Sequence, residues 1–245
     1  MWKNYVNPAV YGCTFRTDAR EEGWSLKKIA VFDMDGVLVD SEIVYFRSIS
    51  EVVDSFGGRL TKMLFRKVMG IPMEKGGAEK VIELTGISAT HEEFLRRIRE
   101  SYRKYFSTSM EPRPGIRKLL EKLKGMKVKI CVATSTFRDA ALERLKRIDV
   151  LKYVDKAVFG NEVEKSKPDP EIFLLLLKKV GGSPEEVVVF EDSVNGVKSA
   201  KAAGLDVYGV LHEFNSREDL MMAGALDVFE LPKDVEKILR LFQGL

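Results

Sequence analysis

The strongest constraint on this chain is a repeated pattern: a short apolar run that ends in polar residues, followed by a stretch with helical periodicity. Lys27 to Asp33 (Lys-Lys-Ile-Ala-Val-Phe-Asp) is one such run, and others fall at Val128–Val132, Ala157–Phe159, Val187–Phe190 and Val207–Leu211. Runs this short that lack polar alternation suit strands buried on both faces, the habit of parallel sheets. Helices are predicted between them over Gly115–Lys124, Phe137–Ile148, Pro170–Val180 and Val194–Ala203. Strand and helix in alternation predict an α/β fold with helices on both sides of a parallel sheet. Helix punctuation agrees: Asp169 precedes Pro170 at an expected first helical position, and Ser193 and Gly204 bracket another helix.

One region breaks the alternation. From Ser41 to Glu111 the pattern is helical throughout, with candidates at Ser41–Phe56, Thr61–Met69, Glu74–Leu84 and His91–Phe106. Thr90 followed by Glu93 fits a capping box. Consecutive helices without strands predict a small bundle, and Glu111-Pro112-Arg113-Pro114-Gly115 reads as the return hinge. The expected organisation is an N-terminal extension over 1–25, an α/β core over 26–40 and 112–245, and a helical cap over 41–111.

Composition excludes several classes. With Lys+Arg 40 against Asp+Glu 37, the net charge of +3 gives no reason to expect nucleic acid or an anionic membrane as partner. Arg96, Arg97, Arg99 and the Arg117-Lys118 pair are expected on solvated helix faces. No stretch approaches the roughly 18 apolar residues of a membrane span. Met1 to Ser25 lacks the apolar run of a signal peptide. Cys13 and Cys131 are spaced for neither a disulfide framework nor zinc, and Cys131 reads as a core residue. A monomer in the reducing cytoplasm is expected.

In open α/β sheets ligands bind beyond the carboxyl ends of the strands, and polar clusters fall there. They are Asp33-Met34-Asp35-Gly36, Thr134-Ser135-Thr136, Lys165-Ser166-Lys167-Pro168 and Glu191-Asp192-Ser193. Asp33, Asp35, Glu191 and Asp192 in one crevice would repel unless a hard cation joined them, and Mg²⁺ suits such oxygen ligands. Thr134 and Lys167 add a hydroxyl and a positive charge, and a helix start near Ser135 and Thr136 would favour an anion. Carboxylates, metal, lysine and helix start together describe a phosphate site. An aspartate can attack phosphorus and form an acyl phosphate, with a second carboxyl serving the leaving group and then water.

Asp33-Met34-Asp35-Gly36-Val37-Leu38-Val39-Asp40-Ser41-Glu42 resembles the first motif of the haloacid dehalogenase superfamily. Ala133-Thr134-Ser135-Thr136 resembles its second, Lys167-Pro168-Asp169-Pro170 its third, and Phe190-Glu191-Asp192-Ser193 with Gly196 its fourth. The likeness runs from about Lys27 to the C-terminus. It implies a Rossmann-like core with an inserted cap, as in the subfamily of β-phosphoglucomutase and sugar-phosphate phosphatases. It further implies Asp33 as nucleophile and Asp35 as acid/base. Magnesium would be held by Asp33, the Asp35 main-chain carbonyl, Asp192 and Glu191, the last directly or through water. Thr134, Ser135 and Lys167 would bind phosphate. The expected activity is magnesium-dependent hydrolysis of small phosphorylated metabolites, with sugar phosphates favoured. Tyr45, Gly70 and Arg138 are candidates for selectivity.

A mutase is the rival reading. Mutase relatives carry a histidine and an arginine in the cap, where this chain has Tyr45 and Met73. A phosphoacceptor signalling domain also pairs acids, hydroxyl and lysine, but lacks an inserted cap. His91 and His212 show no partner pattern and are expected to be structural or exposed.

Overall fold

A computed structural model of the chain describes residues 26–243 apart from Gly70 and Pro72. The expected extension over 1–25, with Cys13, lies outside the described residues, as does the candidate Gly70. Six strands form one sheet: β1 (Ile29–Phe32), β2 (Lys129–Thr134), β3 (Lys156–Phe159), β4 (Val187–Glu191), β5 (Asp206–Leu211) and β6 (Val228–Glu230). Their order is β3-β2-β1-β4-β5-β6, and every pair is parallel. Successive residues of a strand point to opposite faces, and both faces are covered. In β1, Ile29 and Val31 join one buried cluster, while Ala30 and Phe32 join the other. The same division separates Cys131 and Ala133 from Ile130 and Val132 in β2. That is why these strands read as unbroken apolar runs.

Helices α1 (Ser41–Ser55), α2 (Lys62–Arg66), α3 (Gly77–Thr85) and α4 (His91–Ser109) all lie between β1 and β2. Their apolar faces meet in a buried cluster of their own, built on Ile49, Val53, Phe65, Val81, Phe94 and Ile98. Of the remaining helices, α5 (Ile116–Gly125), α6 (Arg138–Arg147) and α10 (Val235–Arg240) cover one face of the sheet. The other face carries α7 (Glu171–Val180), α8 (Val194–Ala202) and α9 (Arg217–Met222). No helix among the described residues is long and apolar enough to cross a membrane.

Local expectations hold with adjustments. Thr90 caps α4 by accepting from the Glu93 N–H at 3.3 Å, but the reciprocal half of a capping box is missing. The Glu93 carboxylate instead accepts from Arg97 at 2.7 Å, a stronger charged partner one turn along. Helix α7 begins at Glu171, one residue later than expected, with Pro170 in the cap position. Asp169 still serves it, since its Oδ1 accepts from the Glu171 N–H at 3.1 Å. Strand β6 gave no sequence signal because it is only three residues long.

The chain leaves the sheet and returns to it side by side. Val39 bridges antiparallel to Pro112. The Asp40 N–H donates to Glu111 O at 3.1 Å and the Arg113 N–H to Leu38 O at 2.9 Å. Phe214, from the loop after β5, inserts into the cluster of α1–α4, edge-on to Phe65 at 5.0 Å between centroids.

Asp155 anchors the start of the sheet's outer half. Its Oδ2 accepts from the Ile130 N–H at 2.8 Å and its Oδ1 from Lys124 at 2.7 Å. Partial burial raises its carboxyl, but those two donors outweigh it and hold the group below the ordinary aspartate value. A lowered value in the folded state stabilises the protein above the unfolded value, about pH 4, and that gain disappears as pH falls through the folded value. Asp155→Asn is therefore expected to cost on the order of 1 kcal/mol at pH 7, for a pair this exposed. The gap from wild type should close in urea titrations repeated at acidic pH. A gap that stays constant down to strong acid would rule this account out.

Candidate active site

The carboxyl ends of β1, β2 and β4 converge, and the polar clusters meet there. Asp33 follows β1 directly, and its N–H continues the pairing by donating to Phe190 O at 2.9 Å. Lys167, in the segment between β3 and α7, reaches over the strand ends. Its Nζ donates to Asp33 Oδ1 at 2.6 Å, to Glu191 Oε1 at 2.5 Å and to Ala133 O at 2.9 Å. Carboxylate oxygens of Asp33, Glu191 and Asp192 all lie within 4.8 Å of one another, and all three residues are buried.

Two close approaches make this crowding feasible. Gly36 has φ +76°, and a Cβ there would fall 2.0 Å from Asp192 Oδ2. At Gly196 a Cβ would fall 2.0 Å from the carboxylate carbon of Glu191. Ser193 caps α8 by accepting from the Gly196 N–H, and its hydroxyl donates to Glu191 Oε2 at 3.2 Å.

The electrostatics ask for a cation. Burial raises the Asp33 carboxyl to about 8 even though Lys167 pulls it down. Burial likewise raises Glu191, and it raises Asp192 well above the ordinary range, with Asp33 adding to the latter. Burial works against the Lys167 charge, but Asp33 and Glu191 raise its ammonium above the usual lysine value. Fully ionised, the three carboxylates would exceed that one ammonium by two negative charges, which burial opposes and a bound cation would offset. The donor set is all oxygen, so a hard divalent ion such as Mg²⁺ fits both its charge and its chemistry.

Asp35 stands apart from this cluster. Its Oδ1 accepts from Arg144 Nη1 at 2.5 Å and its Oδ2 from the Thr136 hydroxyl at 2.7 Å. Its carboxylate is thus held by Arg144 and Thr136 and is not part of the three-carboxylate cluster. Thr134 is buried at the end of β2, where its Oγ1 accepts from the Thr136 N–H at 3.1 Å, whereas Ser135 is exposed. The helix expected from Phe137 starts one residue later, with Phe137 in the cap position. Helix α6 begins at Arg138, and the Arg138 N–H is taken by Asn161 Oδ1 at 3.0 Å. Ser135 and Thr136 therefore precede the helix, and their amides belong to the connecting bend.

Of the selectivity candidates, Tyr45 stacks on Tyr102 at 4.6 Å between centroids. Arg138 is turned to Glu162, at 4.0 Å, and lies over the Phe159 ring. The arginine that reaches Asp35 is Arg144, nearly two turns further along α6, and its Nη2 also donates to the Tyr102 hydroxyl at 3.1 Å.

His212 is neither exposed nor without a partner. It is buried, with Nε2 at 3.0 Å from Asp192 Oδ2. Burial lowers its ring to about 4, so it is neutral. Since Nδ1 accepts from the Phe214 N–H at 3.1 Å, the ring proton sits on Nε2 and points at Asp192. Asn215 adds a bond from Nδ2 to Asp192 O at 2.9 Å. Arg144 and His212 escaped sequence analysis because each meets its partner only through the fold. The one available cue was that His212 directly follows β5, the strand beside β4.

Comparisons with known proteins point to one family. The family model described as "Haloacid dehalogenase-like hydrolase" matches residues 30–210. The phosphorylated carbohydrates phosphatase of Thermotoga maritima is 43% identical, over 86% of this chain and 97% of that protein. Fructose-1-phosphate phosphatase YqaB of Escherichia coli is 29% identical, over 74% of this chain and 94% of its own length. A solved T. maritima structure with a provisional beta-phosphoglucomutase name superposes with a TM-score of 0.74 at 42% identity, covering 87% of this chain and 98% of that one.

Proposed function

The chain belongs to the haloacid dehalogenase-like hydrolases, and from that premise we propose that it is a magnesium-dependent phosphatase acting on small phosphate esters through a phosphoaspartyl enzyme. The observation that carries this is Asp33 at the end of β1, buried and held by Lys167, with Glu191 and Asp192 beside it. In the first step an Asp33 carboxylate oxygen bonds to phosphorus while the bond from phosphorus to the alcohol oxygen breaks. Asp35 gives a proton to that departing oxygen. In the second step water attacks the acyl phosphate, Asp35 takes its proton, and phosphate and the Asp33 carboxylate are released.

Lys167 and Thr134, with the Ser135 amide, bind the phosphoryl oxygens in this mechanism. Asp33, Glu191, Asp192 and the Asp35 carbonyl would hold Mg²⁺, which supplies charge neutralisation to the transferring phosphoryl group. Arg144 and Thr136 orient the Asp35 carboxyl until the leaving oxygen takes their place. His212 fixes Asp192 from behind, as partners of metal ligands commonly do. Helices α1–α4 act as a cap over the strand ends, opening for substrate and limiting water when closed. The names of the relatives point to phosphorylated carbohydrates as the first esters to assay. Cys131, a buried free thiol, suits the reducing cytoplasm as the place of action.

Phosphate release from a panel of phosphorylated sugars, with and without Mg²⁺, tests the proposal. Release that depends on the metal is expected. Interconversion of sugar-phosphate isomers without net release would replace the phosphatase with a mutase.

A further inference from the structure

A cavity of about 450 Å³ opens among helices α1–α4 and the segments joining them, a size within the roughly 300–1,000 Å³ of small-ligand pockets. It is separate from the acidic cluster but shares residues with its surroundings. Glu42 lines the cavity, and its buried carboxyl also feels the charges of Asp192 and Asp35. Tyr102 lines it too, and accepts a hydrogen bond from the same guanidinium that holds Asp35. One end of the cavity therefore abuts the place where the ester's alcohol must depart.

The wall has a definite chemistry. Near the acidic residues it offers the Glu42 carboxyl and the stacked Tyr45 and Tyr102. The other charged groups on it, Glu74 and Arg99, pair with each other at 3.4 Å. The rest is aliphatic, thioether and phenyl, with Ile49, Phe65, Val68, Met69, Met73 and Leu95 among the side chains. None of these can donate to a hydroxyl, and only the two methionine sulfurs can accept from one, weakly. Hydroxyls seated against this apolar stretch would find no strong partner, whereas an apolar group would release water from it.

We propose that this cavity receives the alcohol side of the ester, and that the alcohol carries an apolar or aromatic group beyond a short polar stretch beside Glu42 and the two tyrosines. The inference rests on the phosphatase assignment and narrows its substrate class.

The test compares kcat/KM for phosphate release from 2-phenylethyl phosphate, glycerol 1-phosphate and glucose 6-phosphate in wild-type protein with Mg²⁺. The phenylethyl ester is expected to lead glucose 6-phosphate by about tenfold or more, the scale of discrimination that apolar contacts supply. Met69→Trp, which fills the cavity, and Met73→Gln, which makes its wall polar, are each expected to shrink that lead, chiefly through KM for the phenylethyl ester. Both positions are only half-buried, and thermal unfolding of each variant verifies its fold. If the tryptophan variant does not fold, Met73→Gln decides. Equal kcat/KM values, a preference for glucose 6-phosphate, or a lead that neither folded variant moves would each overturn the inference and leave the phosphatase standing. Absence of release from every ester would remove the phosphatase itself, and this inference with it.

Discussion

Asparagine at position 33 is expected to slow phosphate release by about 10⁴-fold or more, the scale on which removal of a covalent nucleophile acts. The amide keeps the shape of the carboxylate and can still accept from Lys167, which now donates to Asp33 Oδ1 at 2.6 Å. It cannot attack phosphorus. The change also removes one of three crowded, buried carboxylates whose charge burial opposes. The metal-free variant should therefore unfold at a temperature no lower than wild type. Loss of activity with the fold intact separates a missing nucleophile from a damaged site. Steady-state phosphate release, thermal unfolding and intact-mass detection of the phosphoenzyme measure the relevant quantities. An asparagine variant that still turned over at a tenth of the wild-type rate would show that another group attacks.

The second large effect is expected from a single methyl group. Gly36→Ala meets two obstacles together. Its φ of +76° is strained for any L side chain, at a cost of roughly 1–2 kcal/mol. The new Cβ would also lie 2.0 Å from Asp192 Oδ2, far inside contact distance. Asp192 cannot simply step aside, because His212 holds its side chain and Asn215 its carbonyl. Either the turn after β1 opens or Asp192 leaves the cluster, and both displace groups assigned to the metal and the phosphoryl transfer. Misplacement by about 1 Å costs on the order of 100-fold, so kcat/KM should fall by at least that much. The Mg²⁺ concentration for half-maximal activity should rise about 10–100-fold. A Mg²⁺ titration of phosphate release checks this, and an unchanged half-saturation would mean the turn relaxes without moving Asp192.

The layers of the fold were legible because burial on both faces writes itself into composition. Val187–Glu191 is apolar until its last residue, and that last residue lies at the site. The acidic cluster was legible for the same reason: Asp33, Glu191 and Asp192 sit at or next to strand ends that are visible as changes from apolar to polar. What stayed hidden depends on three-dimensional neighbours. Arg144 lies in a last helical turn rich in basic residues, and nothing local distinguishes it from Lys146 or Arg147. His212 draws its meaning from Asp192 across two strands. Phe214 follows a core strand in the chain, yet its ring packs among α1–α4, a contact that no periodicity encodes. Helix ends shifted by a residue where a side chain elsewhere claimed the first amide, as Asn161 does at Arg138.

The paired segments around Val39 and Pro112 have a consequence for how such a chain can change. The polypeptide departs at Asp40 and reappears at Glu111, and those two residues are joined by a backbone hydrogen bond of 3.1 Å. Seen from the sheet, everything between them amounts to one large loop with touching ends. Closing a longer loop costs only about 0.6 kcal/mol per doubling of its length, so the core is nearly indifferent to what the loop contains. The intervening helices form a cassette, free to be exchanged or remodelled while the carboxylates at the strand ends stay where they are. On the proposed assignment, phosphoryl chemistry and the choice of ester lie in different stretches of one sequence and can drift apart, except at Phe214, where replacement helices would have to accommodate a ring that the core supplies.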